Sequence, residues 1–125
     1  MNAERMEQEL RDALGAHGVW KLKLRTAVNT GKSDTDPATA ARDDCCAFGQ
    51  WLYGPTIDEQ TRNSKPYEVI SRLHRDFHKT AGRVLDFAIK GNKEQATKLL
   101  NEEFSKKSTK LTMAIAKWRS ELKQH

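Results

Sequence analysis

The stretch from Ile70 to Ala88, ISRLHRDFHKTAGRVLDFA, predicts the fold of this chain more directly than any other. Its apolar residues and histidines recur every three or four positions, which is the spacing of one face of an α-helix. His74 and His78 lie four residues apart on that face, so both imidazoles can bind one ion together. The stretch therefore predicts a long helix that begins near Pro66, ends before Gly91 and carries two candidate metal ligands. The members of the face are Ile70, Leu73, His74, Phe77, His78, Ala81, Val84, Leu85 and Ala88.

The rest of the chain shows the same helical period, interrupted by loop residues. A first helix is predicted from about Ala3 to Val28, and a second from an N-cap at Asp36 to a stop at Tyr53-Gly54-Pro55. Asn92 predicts the start of a fourth helix of up to about 30 residues. Strand signals, such as alternating β-branched runs or Asn-Gly turns, are absent. Four helices with short connections predict an all-α fold, an antiparallel four-helix bundle with a metal site between helices.

Length and composition favour a single domain that covers residues 1–125. Hydrophobic residues make up 37% and charged residues 31%, as expected for amphipathic helices. No apolar run approaches the roughly 18 residues of a membrane span, and the acidic, polar start Met1–Glu7 is not typical of a secretory signal. Two adjacent cysteines make a poor disulfide framework, so we expect a reduced, cytoplasmic location without membrane insertion.

The net charge of +5 raises the question of a nucleic-acid partner. The excess lies in residues 93–125, which hold 8 lysines and arginines against 4 acidic residues. The lysines fall largely between apolar residues at helical spacing, and the aromatic residues Phe104 and Trp118 belong to that apolar stripe and do not interleave with the lysines as stacking platforms. We therefore expect a solvated helix face and no nucleic-acid partner, since net charge alone speaks only to non-specific attraction.

Three of the four histidines and one of the two cysteines form one pattern along the chain. His17 precedes Trp20 by three residues on the stripe of the first helix, and Cys46-Ala47-Phe48-Gly49-Gln50-Trp51 and His74-Arg75-Asp76-Phe77-His78 follow. Three imidazoles and one thiolate are a complete set of ligands for tetrahedral Zn²⁺. His125, the last residue, is the histidine left outside the pattern.

Each element alone has a simpler explanation. A single histidine on an apolar stripe is usually a core residue bonded to a carbonyl group, and a single cysteine is usually a small buried side chain. The His-x-x-x-His pair lacks the glutamate of a zinc protease helix. Because the elements lie on inward stripes of three helices and together complete a tetrahedral set, we favour a zinc site.

The ligand set also bears on the class of site. Four protein ligands leave no open position for a catalytic water, so we do not expect an enzyme. A di-iron site needs inward glutamates with Glu-x-x-His spacing, which the sequence lacks, and a haem site would leave most of the pattern unexplained.

Two features of the predicted second helix concern packing. Gly49 costs roughly 1 kcal/mol against alanine inside a helix, and we expect it to allow close packing against a neighbouring helix. Phe48, Leu52 and Tyr53 are expected to face either the core or a partner subunit.

The constellation resembles the chemoreceptor zinc-binding domain, a bacterial sensory module. The spacing also fits that pattern, with 29 residues from His17 to Cys46 and 28 from Cys46 to His74. The resemblance spans nearly the whole chain and implies that His17, Cys46, His74 and His78 bind Zn²⁺. It further implies a cytoplasmic domain, often a homodimer, that acts in chemotaxis-type signal transduction on a chemoreceptor or diguanylate cyclase, within the same chain or on another protein. Cys45 is a second thiol that the pattern does not include.

Two classes of function follow from this interpretation. In the first, the domain is a sensor, and the signal is either zinc availability or oxidation of the zinc-bound Cys46 thiolate. In the second, zinc is purely structural, and the bundle serves as a dimerisation or docking module. A reversible structural change on zinc removal or Cys46 oxidation would distinguish the two classes.

Overall fold

A computed structural model of the chain describes residues 3–123, and Met1, Asn2, Gln124 and His125 lie outside the described residues. The all-α class is confirmed, since residues 3–123 contain no β-strand. Every helix within this range is too short or too polar to cross a membrane. The helices are α1 (Ala3–Thr30), α2 (Pro37–Ala40), α3 (Ala47–Leu52), α4 (Glu59–Arg62), α5 (Lys65–Ile89), α6 (Lys93–Leu99) and α7 (Ser105–Lys123), and a π-helical turn (Leu100–Phe104) joins α6 to α7.

Helix α5 forms as the sequence predicts and is the centre of the fold. Pro66 lies in its first turn, where the missing N–H of proline has no cost. Gly91 ends the helix with a φ of 80°, and the N–H groups of Gly91 and Asn92 donate to the carbonyls of Ala88 and Phe87. This pattern is a Schellman cap, which glycine allows because it has no Cβ atom. Helix α5 contacts α1, α2, α6 and α7.

Helices α1 and α7 complete the core around α5. Arg119 near the end of α7 donates to Glu7 near the start of α1, with an N–O distance of 2.7 Å. This ion pair places the last turns of α7 beside the first turns of α1. Between the three helices lie fully buried side chains, among them Leu10, Leu24, Phe77, Phe104, Leu111 and Ile115. The antiparallel four-helix bundle itself stays a prediction.

The predicted second helix is wrong as one continuous helix. The structure has two short helices, α2 and α3, and a non-helical segment at residues 41–46 between them. Asp36 caps α2 as predicted, through a hydrogen bond from the Thr39 N–H, but the helix ends after one turn. Asp43 and Asp44 lie in the break, and aspartate favours caps and turns over helix interiors because its side chain competes for backbone hydrogen bonds. Cys46 then starts α3 as its N-cap.

The fourth predicted helix is present with one irregularity. Asn92 caps α6 by accepting from the Gln95 N–H, as expected, and the helical path continues to Lys123 through the π-helical turn. Ala96, Leu100 and Phe104 are all buried at steps of four residues. Such steps drift by about 40° each on an α-helix of 3.6 residues per turn. The wider π-helical turn offsets this drift and keeps the apolar side chains pointing inward.

Gly82 on α5 is the point where α2 rests on the central helix. A Cβ atom at Gly82 would lie 2.7 Å from the Ala41 Cβ and 2.8 Å from the Pro37 carbonyl oxygen. Both distances are shorter than real contacts, and one of the atoms is backbone. The absence of a side chain at Gly82 therefore allows α2 and the segment that follows it to lie directly on α5.

We predict that Gly82→Ala destabilises the fold by about 1–3 kcal/mol, because the added methyl group overpacks the α2–α5 contact. Gly15→Ala is a matched control, since Gly15 lies inside α1 with no atom within 4 Å of an added Cβ. That control should stabilise the fold by roughly 0.5–1 kcal/mol through helix propensity. Urea unfolding of both variants measures the two effects, and stabilisation by Gly82→Ala would contradict the close contact.

Candidate metal centre

The four residues of the sequence pattern come together between α1, α5 and the start of α3. Each offers one ligand atom, and the four atoms all lie within 4.8 Å of one another. The Cys46 Sγ is 3.3 Å from the His74 Nε2. The histidines are deeply buried, with exposed fractions of 4% for His17, 0% for His74 and 1% for His78. The sequence pattern therefore found all four members of the cluster.

Cys46 reaches the cluster from a capping position and not from a helix interior. Its backbone is extended, with φ −78° and ψ 161°, and its Sγ accepts from the Gly49 N–H at 3.3 Å. A Cβ atom at Gly49 would lie 1.8 Å from the Asp43 carbonyl oxygen. The expectation that Gly49 allows close packing is correct, but its neighbour is the backbone that precedes Cys46 and not another helix. Gly49 thus lets the chain fold back on itself and turn the thiol inward.

Two hydrogen bonds from α5 hold the segment that carries Cys46, residues 40–52, one at each end of that segment. At the start, the His78 Nδ1 donates to the Ala40 carbonyl oxygen at 3.1 Å. At the end, the Tyr67 hydroxyl donates to the Leu52 carbonyl oxygen at 2.6 Å. Both donors belong to α5, so the position of the thiol relative to His74 and His78 is set by the same helix.

A hydrogen bond within the segment was not anticipated from the sequence. The Tyr53 hydroxyl donates to the Asp43 carboxylate across ten residues. Burial, together with this acceptor, raises the pKa of Tyr53, so the phenol keeps its proton. Asp43 and Tyr53 flank Cys46 at unequal distances along the chain, and no short-range spacing rule predicts their contact.

Backbone carbonyls orient two of the imidazoles toward the cluster. A carbonyl oxygen can only accept, so the Nδ1 atoms of His17 and His78 carry their protons toward Ala13 and Ala40, at 2.7 Å and 3.1 Å. The Nε2 atoms of both rings are then lone-pair donors, and both are buried without a hydrogen-bond partner. Unpartnered buried nitrogens are rare in folded proteins. A metal ion among them would satisfy both atoms, so the residues fit Zn²⁺ by position and by donor type.

Aromatic rings enclose the cluster. Phe77 lies 5.0 Å from His17, Phe48 lies 5.1 Å from His74, and Trp20 lies 5.6 Å from His78, measured between ring centroids. Trp51 stacks on Phe48 at 5.7 Å. This shell limits the access of water to the ligand atoms and lowers the local dielectric.

The packing of α3 decides between the core and a partner subunit, the two surroundings expected for Phe48, Leu52 and Tyr53. Phe48 and Leu52 are 4% and 0% exposed within the single chain, so they belong to its core and offer no surface to a second subunit. Tyr53, at 42% exposed, is the member of that group that reaches solvent.

Burial sets the protonation of the ligands. Burial lowers the pKa of His17 to about 4. Burial, together with the nearby rings of His78 and His17, lowers the pKa of His74 to about 2. Burial also lowers the pKa of His78, so all three imidazoles are neutral near pH 7. Burial raises the pKa of the Cys46 thiol, only partly offset by the N–H groups of Gly49 and Phe48. The histidines can therefore bind a metal without losing protons, whereas the thiol must lose one.

We predict that zinc affinity rises about tenfold per pH unit between pH 7 and 8, because binding displaces one proton, from Cys46. The imidazoles contribute none in this window, since the lowered pKa values leave them already deprotonated. Calorimetry of zinc binding in buffers of different ionisation enthalpy counts the protons released. Release of two or more protons above pH 7 would contradict neutral imidazoles.

Cys45 lies outside the cluster. Its side chain is exposed, and its Sγ is 3.7 Å from an oxygen of the neighbouring Asp44. The capping geometry of Cys46 turns the two adjacent thiols to different surroundings, one to solvent and one to the buried imidazoles.

Comparison with known proteins agrees with this site. The sequence model of the chemoreceptor zinc-binding domain family matches residues 17–85, a range that begins at His17 and includes the whole cluster. Neither a curated protein nor a solved structure matches the chain. The family match and the convergence of His17, Cys46, His74 and His78 support a zinc-binding signalling domain. The chain belongs to the chemoreceptor zinc-binding domain family.

Proposed function

We propose that this domain is a regulatory zinc module in which His17, Cys46, His74 and His78 bind one Zn²⁺. The observation that carries the proposal is the convergence of four donor atoms within 4.8 Å, two of them buried nitrogens without any partner. When bound, the ion supplies strong bonds that join α1, α5 and the start of α3. The loaded site contributes its binding free energy to folding, because the unfolded chain does not assemble the four ligands.

We propose that the domain has no enzymatic activity. Four protein donors complete a tetrahedral set, which leaves no position for a reacting water. Asp76, which lies between His74 and His78 in sequence, is half-buried on another face of α5, where its carboxylate is 4.0 Å from the Lys107 ammonium. It is therefore not placed to act as a general base at the site.

The proposed signal passes through Cys46. It is the single ligand on the segment between α2 and α3, so the bond to its sulfur is what ties that segment to the ion. Hydrogen peroxide transfers one oxygen atom to the thiolate: the S–O bond forms as the O–O bond breaks, hydroxide leaves, and sulfenic acid remains as a weaker ligand. Residues 41–52 then lose one anchor while the hydrogen bonds from His78 and Tyr67 remain. Zinc availability would act on the same segment.

A structural zinc staple is the alternative function. The tight backbone contacts at Gly82 and Gly49 favour it, because the first holds α2 against α5 and the second holds the turn before α3 closed, both independently of the ion. In that case, loss of the sulfur–metal bond would lower stability without releasing a defined element.

The proposal also covers the arrangement of the helices, the oligomeric state and the cellular location of the domain. The Glu7–Arg119 ion pair joins the start of α1 to the end of α7, which supports an antiparallel four-helix bundle. The second member of that bundle is the α2–α3 segment, residues 37–52. We propose a homodimer, and α1 offers an apolar surface in Val19 and Leu22, which are 55% and 65% exposed. Family membership supports a cytoplasmic domain that regulates a chemoreceptor or a diguanylate cyclase, in the same chain or on another protein.

We predict about one zinc per chain in the wild type and in Cys45→Ala, and strongly reduced zinc in Cys46→Ala. Cys45 is the matched control, since it is the adjacent thiol but is exposed outside the cluster. Elemental analysis after dialysis measures the metal, and thermal melts with a strong chelator measure its effect on folding. Free zinc at about 100 times Kd should stabilise the fold by about 2.7 kcal/mol. Zinc retained by Cys46→Ala but lost by Cys45→Ala would transfer the ligand role to Cys45.

We predict that mild peroxide treatment of the zinc-loaded domain oxidises Cys46, releases zinc and increases amide hydrogen exchange in residues 41–52. Exchange in α7 should change little, because α7 contributes no ligand. The measurement combines intact mass, a zinc indicator and hydrogen-exchange mass spectrometry, with reductant added to test reversal. Oxidation of Cys46 with unchanged exchange at residues 41–52 would refute the sensor and favour the structural staple.

A further inference from the structure

One of the three imidazoles in the cluster, that of His74, differs from the other two in the partner of its Nδ1 atom. His17 and His78 each donate through Nδ1 to a backbone carbonyl. His74 turns its Nε2 toward the Cys46 Sγ at 3.3 Å, but its Nδ1 is buried and has no hydrogen-bond partner. Metal-binding histidines almost always donate their second ring N–H, because that bond fixes the tautomer and the ring orientation. The partner of the His74 Nδ1 is therefore the missing element of the site.

Few buried atoms can take this role. Besides the cluster nitrogens, the buried side-chain atoms without a partner among the described residues are the Trp51 Nε1 and the Ser71 Oγ. The indole nitrogen can only donate, so it cannot accept a proton from His74. The Ser71 hydroxyl both donates and accepts. It is therefore the one atom of this set that matches the His74 N–H.

The helix brings Ser71 within reach. Ser71 precedes His74 by three residues on α5, and residues three apart are neighbours on a helix, with Cβ atoms about 5–6 Å apart. Side chains in helices lean back toward the preceding turn, and the turn that precedes His74 contains Ser71. Rotation about the Ser71 Cα–Cβ bond changes the direction of its hydroxyl, which is the freedom that a bond to His74 requires.

The hydroxyl of Ser71 also differs from other hydroxyls in the helices. Thr30, Thr80 and Thr97 each donate to the carbonyl oxygen four residues earlier, at 2.8–3.0 Å. Ser71 makes no such bond, although its Oγ is buried. A buried hydroxyl without a partner is costly, so its presence calls for a second polar group. The His74 Nδ1–H is that group on the same face of α5.

We propose that Ser71 is the positioning residue of His74: its Oγ accepts the Nδ1–H and fixes the tautomer whose Nε2 faces the metal. The Ser71 hydroxyl proton is then free to donate to the Tyr67 carbonyl oxygen four residues earlier, the bond that helical serines commonly form. Ser71 touches no metal and acts only through His74. This role rests on the zinc centre proposed above and adds a residue outside the sequence pattern.

The experiment compares Ser71→Ala with Ser71→Thr and Thr80→Val in the zinc-loaded domain. Thr80→Val is the matched control, since it removes another buried hydroxyl from α5, one bonded to its own helix. Nitrogen-15 NMR of the imidazoles reports each Nδ1–H, and competition with a chromophoric chelator reports zinc affinity. We expect Ser71→Ala to lose the slowly exchanging His74 Nδ1–H signal and to bind zinc about 10–100-fold more weakly. Ser71→Thr should keep both the His74 Nδ1–H signal and the zinc affinity, and Thr80→Val should change neither of them.

Other results separate the two levels of the proposal. If the wild type does not bind zinc, the metal centre and the role of Ser71 fall together. If the wild type binds zinc and Ser71→Ala keeps the His74 Nδ1–H signal and the wild-type affinity, only the Ser71 assignment is overturned. The acceptor is then a backbone carbonyl, as for His17. Equal weakening by Ser71→Ala and Thr80→Val would also overturn it, since general loss of helix packing would explain both.

Discussion

The structure depends on the packing of four polar ligand atoms against one another, three on buried histidines and one on the half-buried Cys46. His17, His74 and His78 are almost completely removed from solvent, and burial keeps their rings neutral. Polar atoms buried without partners are costly, and a core of this size has few other groups with which to satisfy them. A metal ion turns that cost into bonds between segments far apart in sequence. The same atoms that weaken an empty core therefore strengthen a loaded one.

Backbone contacts that do not involve the ion help to set this arrangement. Two glycines let backbone segments approach at distances that a Cβ atom would forbid, Gly82 where α2 rests on α5 and Gly49 where the chain folds back before α3. The His78 ring donates to the carbonyl of Ala40 at the end of α2, so one histidine both faces the cluster and holds the segment that leads to Cys46. Ligand orientation and backbone path are thus set by shared contacts.

Because the same contacts set the orientation of the ligands and the path of the backbone, a change at the metal site can change the position of a backbone segment. Cys46 is the one donor that lies outside the long helices, on a segment held by a small number of hydrogen bonds. Helices α1 and α5 are anchored by extensive burial of their apolar faces and respond little to the loss of one bond. A change at the sulfur is therefore expected to act on the α2–α3 segment first, and the aromatic shell of Phe48 and Trp51 moves with it.

The sequence by itself determined the helical class, the long helices and the membership of the cluster. The helices follow from local rules: the period of apolar residues, the caps at Asp36 and Asn92, and the stop at Gly91. The membership of the cluster follows from the four-residue step from His74 to His78 and from the resemblance of the whole pattern to the family. It did not determine the break at residues 41–46, because the apolar period continues across it and the aspartates there are only weak helix breakers. Contacts between distant residues decided the capping position of Cys46, the neighbour of Gly49 and the bond from Tyr53 to Asp43. Such contacts depend on the path of the whole chain, which no local pattern encodes.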